Sequence, residues 1–151
     1  VSGCRFLDVY AGTGAVGIEA LSRGAASATF VEANPKTAQL LKKNLAACQL
    51  TERAVVRTTA AETFFQRSDW WEGPYDLVFA DPPYADADAL EAFEDACNLG
   101  LLSADGVLVI ERLAKASLPT AFARTQLVKR YVYGDTALFV YRSASEGARS
   151  T

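Results

Sequence analysis

The segment from Asp8 to Gly17, DVYAGTGAVG, sets Gly12, Gly14 and Gly17 in the spacing GxGxxG. Ahead of it lies RFLDVY (Arg5 to Tyr10), a short apolar run of strand length. Behind it, Gly14 to Arg23 carries a helical pattern that Gly24 stops. A glycine turn leading from a buried strand into a helix permits few architectures. It opens a strand–helix unit whose parallel sheet must be covered by crossover helices.

The rest of the chain repeats that alternation. Ala28 to Glu32 predicts a second strand. Asn34 and Pro35 then provide an N-cap and a first-turn proline, and Ala38, Leu41, Leu45 and Cys48 form an apolar stripe at helical spacing. Arg53 to Thr58 predicts a third strand, Ala61 to Arg67 a short helix, and Trp70 and Trp71 a loop. Tyr75 to Ala80 is the fourth strand, Ala87 to Leu101 a helix, Asp105-Gly106 a turn, and Val107 to Glu111 the fifth strand. The end differs in kind: Gln126 to Tyr133 and Thr136 to Arg142 flank Gly134-Asp135 and predict an antiparallel hairpin. Residues 1–142 are expected to form one domain, with residues 143–151 (SASEGARST) a polar tail. A chain that opens at Val1 almost directly on a strand, and that contains no Met, is expected to lack an upstream segment.

Composition narrows the chemistry. There is no His, which removes Ser-His and Cys-His nucleophilic mechanisms. Cys4, Cys48 and Cys97 are widely spaced, with no CxxC pair, which argues for a reducing cytoplasm, small buried hydrophobes and no metal site. No apolar run has the length of a membrane span. The net charge of −3 is unevenly spread: residues 1–111 hold 8 basic and 16 acidic side chains, and residues 112–151 hold 7 and 2. That basic C-terminal third could face a phosphate backbone or be an ordinary solvated surface.

The glycine turn by itself leaves two cofactors open. Glu32 lies 20 residues beyond Gly12 at the end of the second strand, as an acid that holds ribose hydroxyls should, and a dinucleotide would satisfy this as well as S-adenosylmethionine. Asp8, four residues before Gly12, favours the latter. A carboxylate there repels a pyrophosphate but could hold the cationic methionine end of a cofactor that has no phosphate.

Asp81-Pro82-Pro83-Tyr84 directly follows the fourth strand, at the crevice where doubly wound sheets bind ligands. An exocyclic base amine is a poor nucleophile because its lone pair is conjugated into the ring. The Asp81 carboxylate and the Pro82 carbonyl can accept its N–H bonds, draw the nitrogen toward tetrahedral geometry and aim its lone pair at a methyl donor. The paired prolines stiffen the turn, and Tyr84 offers a ring on which a base can stack.

DVYAGTGAVGIEALSRGA (Asp8 to Ala25), FVEAN (Phe30 to Asn34), FADPPY (Phe79 to Tyr84) and YGDTALFVYR (Tyr133 to Arg142) resemble the RsmD family, bacterial methyltransferases that modify guanine N2 in 16S ribosomal RNA. The resemblance implies an α/β, Rossmann-like class I S-adenosylmethionine-dependent methyltransferase with a seven-stranded, mostly parallel sheet and a C-terminal antiparallel hairpin. It implies a cytoplasmic enzyme, a monomer without metal, acting on 16S ribosomal RNA in the small subunit or its assembly intermediate. The cofactor site it implies comprises Asp8, Tyr10, Gly12, Gly14, Glu32 and Ala33. Asp81, Pro82 and Tyr84 are the implied catalytic residues, and Asp81, Pro83 and Tyr84 hold the base. Two departures matter. The wider methyltransferase pattern begins its glycine series where this chain has Tyr10. After the third strand Ala60-Ala61 replaces the usual Asp or Asn before Ala, so Glu62 or the backbone at Ala61 must meet the adenine. The family's basic N-terminal hairpin and helix, thought to help hold RNA, are absent from these residues. A DNA base amine, such as adenine N6, remains the alternative acceptor.

Overall fold

The computed structural model describes residues 1–82 and 87–143. Five strands alternate with helices: β1 (Arg5–Val9), α1 (Ala15–Ser22), β2 (Ser27–Val31), α2 (Pro35–Ala47), β3 (Ala54–Arg57), α3 (Ala61–Gln66), β4 (Tyr75–Ala80), α4 (Ala87–Asn98) and β5 (Leu102–Leu113). They are followed by β6 (Ala121–Phe122), β7 (Thr125–Tyr133) and β8 (Thr136–Ser143). The sheet order is β3-β2-β1-β4-β5-β8-β7-β6. β1 to β5 pair in parallel and β5, β8, β7 and β6 pair antiparallel, so the seven expected strands form as expected and the two-residue β6 extends the far edge.

Strand alternation divides β1 between two cores. Leu7 and Val9 pack with Phe64, Phe65, Val78, Phe93 and Leu108 on the α3–α4 side. Phe6 packs with Leu21, Phe30, Leu41 and Leu45 on the α1–α2 side. Asp8 has the same parity as Phe6 and therefore faces α1. α2 starts as its sequence predicts, with Asn34 Oδ1 accepting from the backbone N–H of Lys36 at 2.9 Å and of Thr37 at 3.2 Å.

Three local expectations are corrected. Asp105-Gly106 does not end a turn ahead of the fifth strand; β5 already runs from Leu102 through both residues. The register moves from Tyr75–Leu102 to Leu77–Val107, so the extra β5 residues are absorbed in a bulge, where the dipeptide's turn preference is used within a strand. α4 stops at Asn98, short of Leu101, because Gly100 takes a φ of 95° and the N–H of Leu101 folds back to Ala96 O. Cys48 caps α2 and is exposed, whereas Ala38, Leu41 and Leu45 are buried; of the three cysteines, Cys97 is the buried one. The polar tail beyond Ser143 lies outside the described residues. Among the described residues no helix is long and apolar enough to cross a membrane, and no cluster of His, Cys, Asp or Glu could hold a metal ion.

Candidate active site at the carboxyl ends of β1, β4 and β5

Strand order reverses between β1 and β4, and Val9 pairs with Ala80 there. The glycine turn after β1 and the Asp81 turn after β4 thus leave the sheet side by side, at its topological switch point. Tyr10 turns the chain with a φ of 61°, unusual for a bulky side chain, and Gly12 follows with a φ of 59°. The turn is fastened to β2. Gly12 N–H donates to Glu32 Oε1 at 2.8 Å, Asn34 N–H donates to Glu32 Oε2 at 2.9 Å, and Ala11 N–H donates to Val31 O at 2.9 Å.

A groove of about 450 Å³ opens over this turn, within the range of small-molecule sites. Tyr10, Gly12, Glu32, Ala33, Ala61 and Glu62 line it, together with Asp81. Sequence reasoning missed Thr59 and Ala60, which also line it. Thr59 N–H donates to Glu32 O at 3.1 Å, so pairing between the ends of β2 and β3 carries it there, a contact no local motif announces.

The glycines divide their work. A Cβ on Gly12 would have nothing within 4 Å, so its backbone faces open space in the groove. Gly14 and Gly17 serve packing instead. A Cβ on Gly14 would lie 2.2 Å from Leu41 Cδ1, and one on Gly17 would lie 2.3 Å from Phe30 Cε2. Gly14, expected among the cofactor contacts, is buried and caps α1 through Ile18 N–H, 2.8 Å from its carbonyl.

Asp8, also expected among the cofactor contacts, lies beneath the groove. It is 2% exposed and does not line the groove, because strand parity sends it under the turn. There its carboxyl accepts from Gly17 N–H at 3.0 Å. Burial pushes its pKa up to about 7; the Gly17 N–H opposes that, and the charges of Asp81 and Glu32 add to it.

A second cavity, of about 530 Å³, opens on the other side of Asp81, lined by Asp81, Pro82, Glu111, Arg112, Leu113, Lys115, Ala116 and Thr136. Asp81 is common to both cavities. Partial burial raises its pKa, against the lowering effects of a hydrogen bond with Glu111 and the charge of Arg112. Pro83 and Tyr84 lie outside the described residues.

The family described as Conserved hypothetical protein 95 matches residues 1–142. Ribosomal RNA small subunit methyltransferase D of Escherichia coli is 34% identical over 145 residues, which cover 93% of this chain and 69% of that protein. The chain belongs to the RsmD family of methyltransferases. A solved structure of a conserved hypothetical protein from Streptococcus pyogenes is 33% identical, with a TM-score of 0.85 over 98% of this chain and 89% of that one. TrmN from Thermus thermophilus is 20% identical, with a TM-score of 0.73 over 94% of this chain and 44% of that one; at that distance the likeness is of fold alone.

Within this RsmD-family site, Tyr10 stands where the wider methyltransferase pattern has glycine, and it lines both the groove over the glycine turn and a small apolar cavity shared with Pro82. Glu111, Arg112, Lys115 and Thr136 were missed in sequence. They come from the last parallel strand, the loop beyond it and the hairpin, and only the β4–β5–β8 pairing draws them to Asp81. The signal available was the YGDT segment, whose Thr136 pairs with Leu113 at the cavity wall.

Proposed function

We propose that this chain transfers a methyl group from S-adenosylmethionine to the exocyclic N2 amine of a guanine in 16S ribosomal RNA of the small subunit, in the cytoplasm. The observation that carries the reading is the position of Asp81 between two cavities, which the reading assigns to the cofactor and to the acceptor. The residues present fit S-adenosylmethionine better than a dinucleotide. Glu32, Glu62 and Asp81 line the first groove, and among the described residues no Lys or Arg does, so a sulfonium is favoured and a pyrophosphate repelled. Glu32 would accept the ribose hydroxyls, because each of its oxygens keeps a lone pair beyond the one bonded to Gly12 or Asn34 N–H. Ala61 and Glu62 would border the adenine, and Gly12 allows close backbone approach. Asp8 supports the turn from below and acts on the cationic end by its field rather than by contact.

When bound, the cofactor supplies an electrophilic methyl on sulfur. The chain's part is to orient the amine. Asp81 accepts one N–H and the Pro82 carbonyl the other, which localises the nitrogen lone pair and points it back toward the first groove. Tyr84 is assigned the stacking platform and Pro83 the stiffness of the turn, on sequence grounds. An RNA acceptor draws support from β7, where Lys129, Tyr131 and Tyr133 share one strand face, Lys129 Nζ lies 4.8 Å from the Tyr131 ring centroid, and both tyrosines are exposed.

The test is transfer of tritium-labelled methyl from the cofactor to small subunits lacking the modification, beside naked DNA. Label in guanine of 16S RNA is expected. Label in DNA alone overturns the RNA reading, and binding of NADH in place of S-adenosylhomocysteine overturns the cofactor.

A further inference from the structure

We propose that Glu111 is a specificity-determining residue: held beside Asp81 by strand register and flanked by the β7–β8 turn, it accepts the N1–H of the guanine whose N2 amine Asp81 holds. This rests on the guanine-amine reading above and adds how that base would be told from others.

The placement follows from three pairings. β4 and β5 run parallel with Ala80 opposite Ile110, so Asp81, the first residue past β4, comes beside Glu111, which is still within β5. Each carboxyl acts on the pKa of the other, and both line the acceptor cavity. On the other flank, β5 pairs with β8 at Glu111–Leu138 and Leu113–Thr136, while β7 pairs with β8 at Tyr133–Thr136. This brings the hairpin turn Tyr133-Gly134-Asp135-Thr136 to the cavity rim. The turn is anchored by Ala114 N–H to Asp135 O at 2.7 Å, and the Tyr133 side chain acts on Glu111, lowering its pKa against the effects of burial and of Asp81.

The reaction as derived needs one carboxylate. A second one beside it is costly, since two neighbouring anions repel. Partial burial raises the pKa of both groups, and the charge of Asp81 raises Glu111 further. A ligand with two adjacent donors accounts for the arrangement. Guanine carries N1–H next to the N2 amine, whereas adenine and cytosine place a bare ring nitrogen next to theirs. Two acceptors therefore match guanine, and they set a lone pair against a lone pair in the other two bases. On entry the base's N–H donors would lie between the two carboxylates and offset their mutual repulsion.

The experiment compares methylation of guanine and of 2-aminopurine at the nucleotide that the wild-type enzyme labels. 2-Aminopurine keeps the N2 amine but has a lone pair at N1. The wild type should prefer guanine by about 100-fold or more in kcat/KM, since a site built around a substrate N–H rejects the analogue lacking it. Glu111→Gln, whose amide can donate to a bare N1, should cut that preference by about tenfold or more and raise the rate on 2-aminopurine. Glu111→Asp should keep the preference at a lower rate. Tyr133→Phe should shift the preference by a few-fold at most, mainly through KM. Binding of S-adenosylhomocysteine by each variant reports an intact fold. A preference unchanged in Glu111→Gln, with that binding kept, overturns the role of Glu111 and leaves the guanine reading standing. A wild-type enzyme that labels no guanine overturns both, and does so before any variant is made.

Discussion

Gly12 donates its backbone N–H to Oε1 of Glu32 at 2.8 Å, while the other oxygen of the same carboxylate holds Asn34 N–H. One side chain just past β2 therefore fixes both the glycine turn after β1 and the start of α2, and the groove lies over that junction. Glu32→Ala should lower affinity for S-adenosylhomocysteine by roughly 10- to 100-fold, since charge-assisted hydrogen bonds are worth about 1.5–3 kcal/mol each. Calorimetry checks it. Affinity within twofold of wild type would remove Glu32 from the site.

The glycines should separate stability from binding. In Gly17→Ala the new methyl meets the Phe30 ring and the Asp8 carboxylate, which should destabilise the fold by about 1–3 kcal/mol. In Gly12→Ala the methyl meets open groove, so the cost is the roughly 1–2 kcal/mol of a left-handed alanine together with weakened cofactor binding. Calorimetry should show weakened S-adenosylhomocysteine binding in Gly12→Ala with Gly17→Ala little changed, while denaturant melts read the stability cost of each.

Asp8 gives a pH dependence whose sign is fixed. Its pKa rises from 3.8 to about 7 on folding, so the folded state keeps the proton longer than the unfolded chain does. Its contribution is full below about pH 4 and is lost as pH rises toward 7, with a span of roughly 4 kcal/mol at most. Asp8→Asn should flatten that part of the stability curve, as followed by thermal melts between pH 4 and 8. An unchanged slope would mean that Asp8 stays charged in the fold.

Asp81→Asn should reduce methyl transfer by about a thousandfold or more, on the order of losing a preorganised group aimed at the reacting centre, while S-adenosylhomocysteine still binds. Single-turnover transfer to small subunits reads this directly. Activity within tenfold of wild type would exclude the amine-orienting role.

Lys129→Ala should raise KM for RNA several-fold at low salt and reduce the salt slope of binding by about one, with cofactor affinity unchanged. If the salt slope does not move, the β7 face is not the phosphate track.

The sequence alone was enough for the glycine turn, the succession of strands and helices, the terminal hairpin and the acid Glu32, 20 residues beyond Gly12, because each is written in local periodicity or in a short motif of fixed spacing. Asn34-Pro35 starts α2 as its residues require, and Gly134-Asp135 turns β7 into β8. What needed tertiary structure was the direction of side chains and the company they keep. Asp8 and Gly14 belong to the motif, yet strand parity and packing against Leu41 take them out of the groove. Asp105-Gly106 looks like a turn, but pairing with β4 absorbs it as a bulge. Glu111 and Tyr133 carry no motif for a base pocket. They reach Asp81 only because β5 lies between β4 and β8, a long-range pairing that depends on sheet order and is invisible to local sequence.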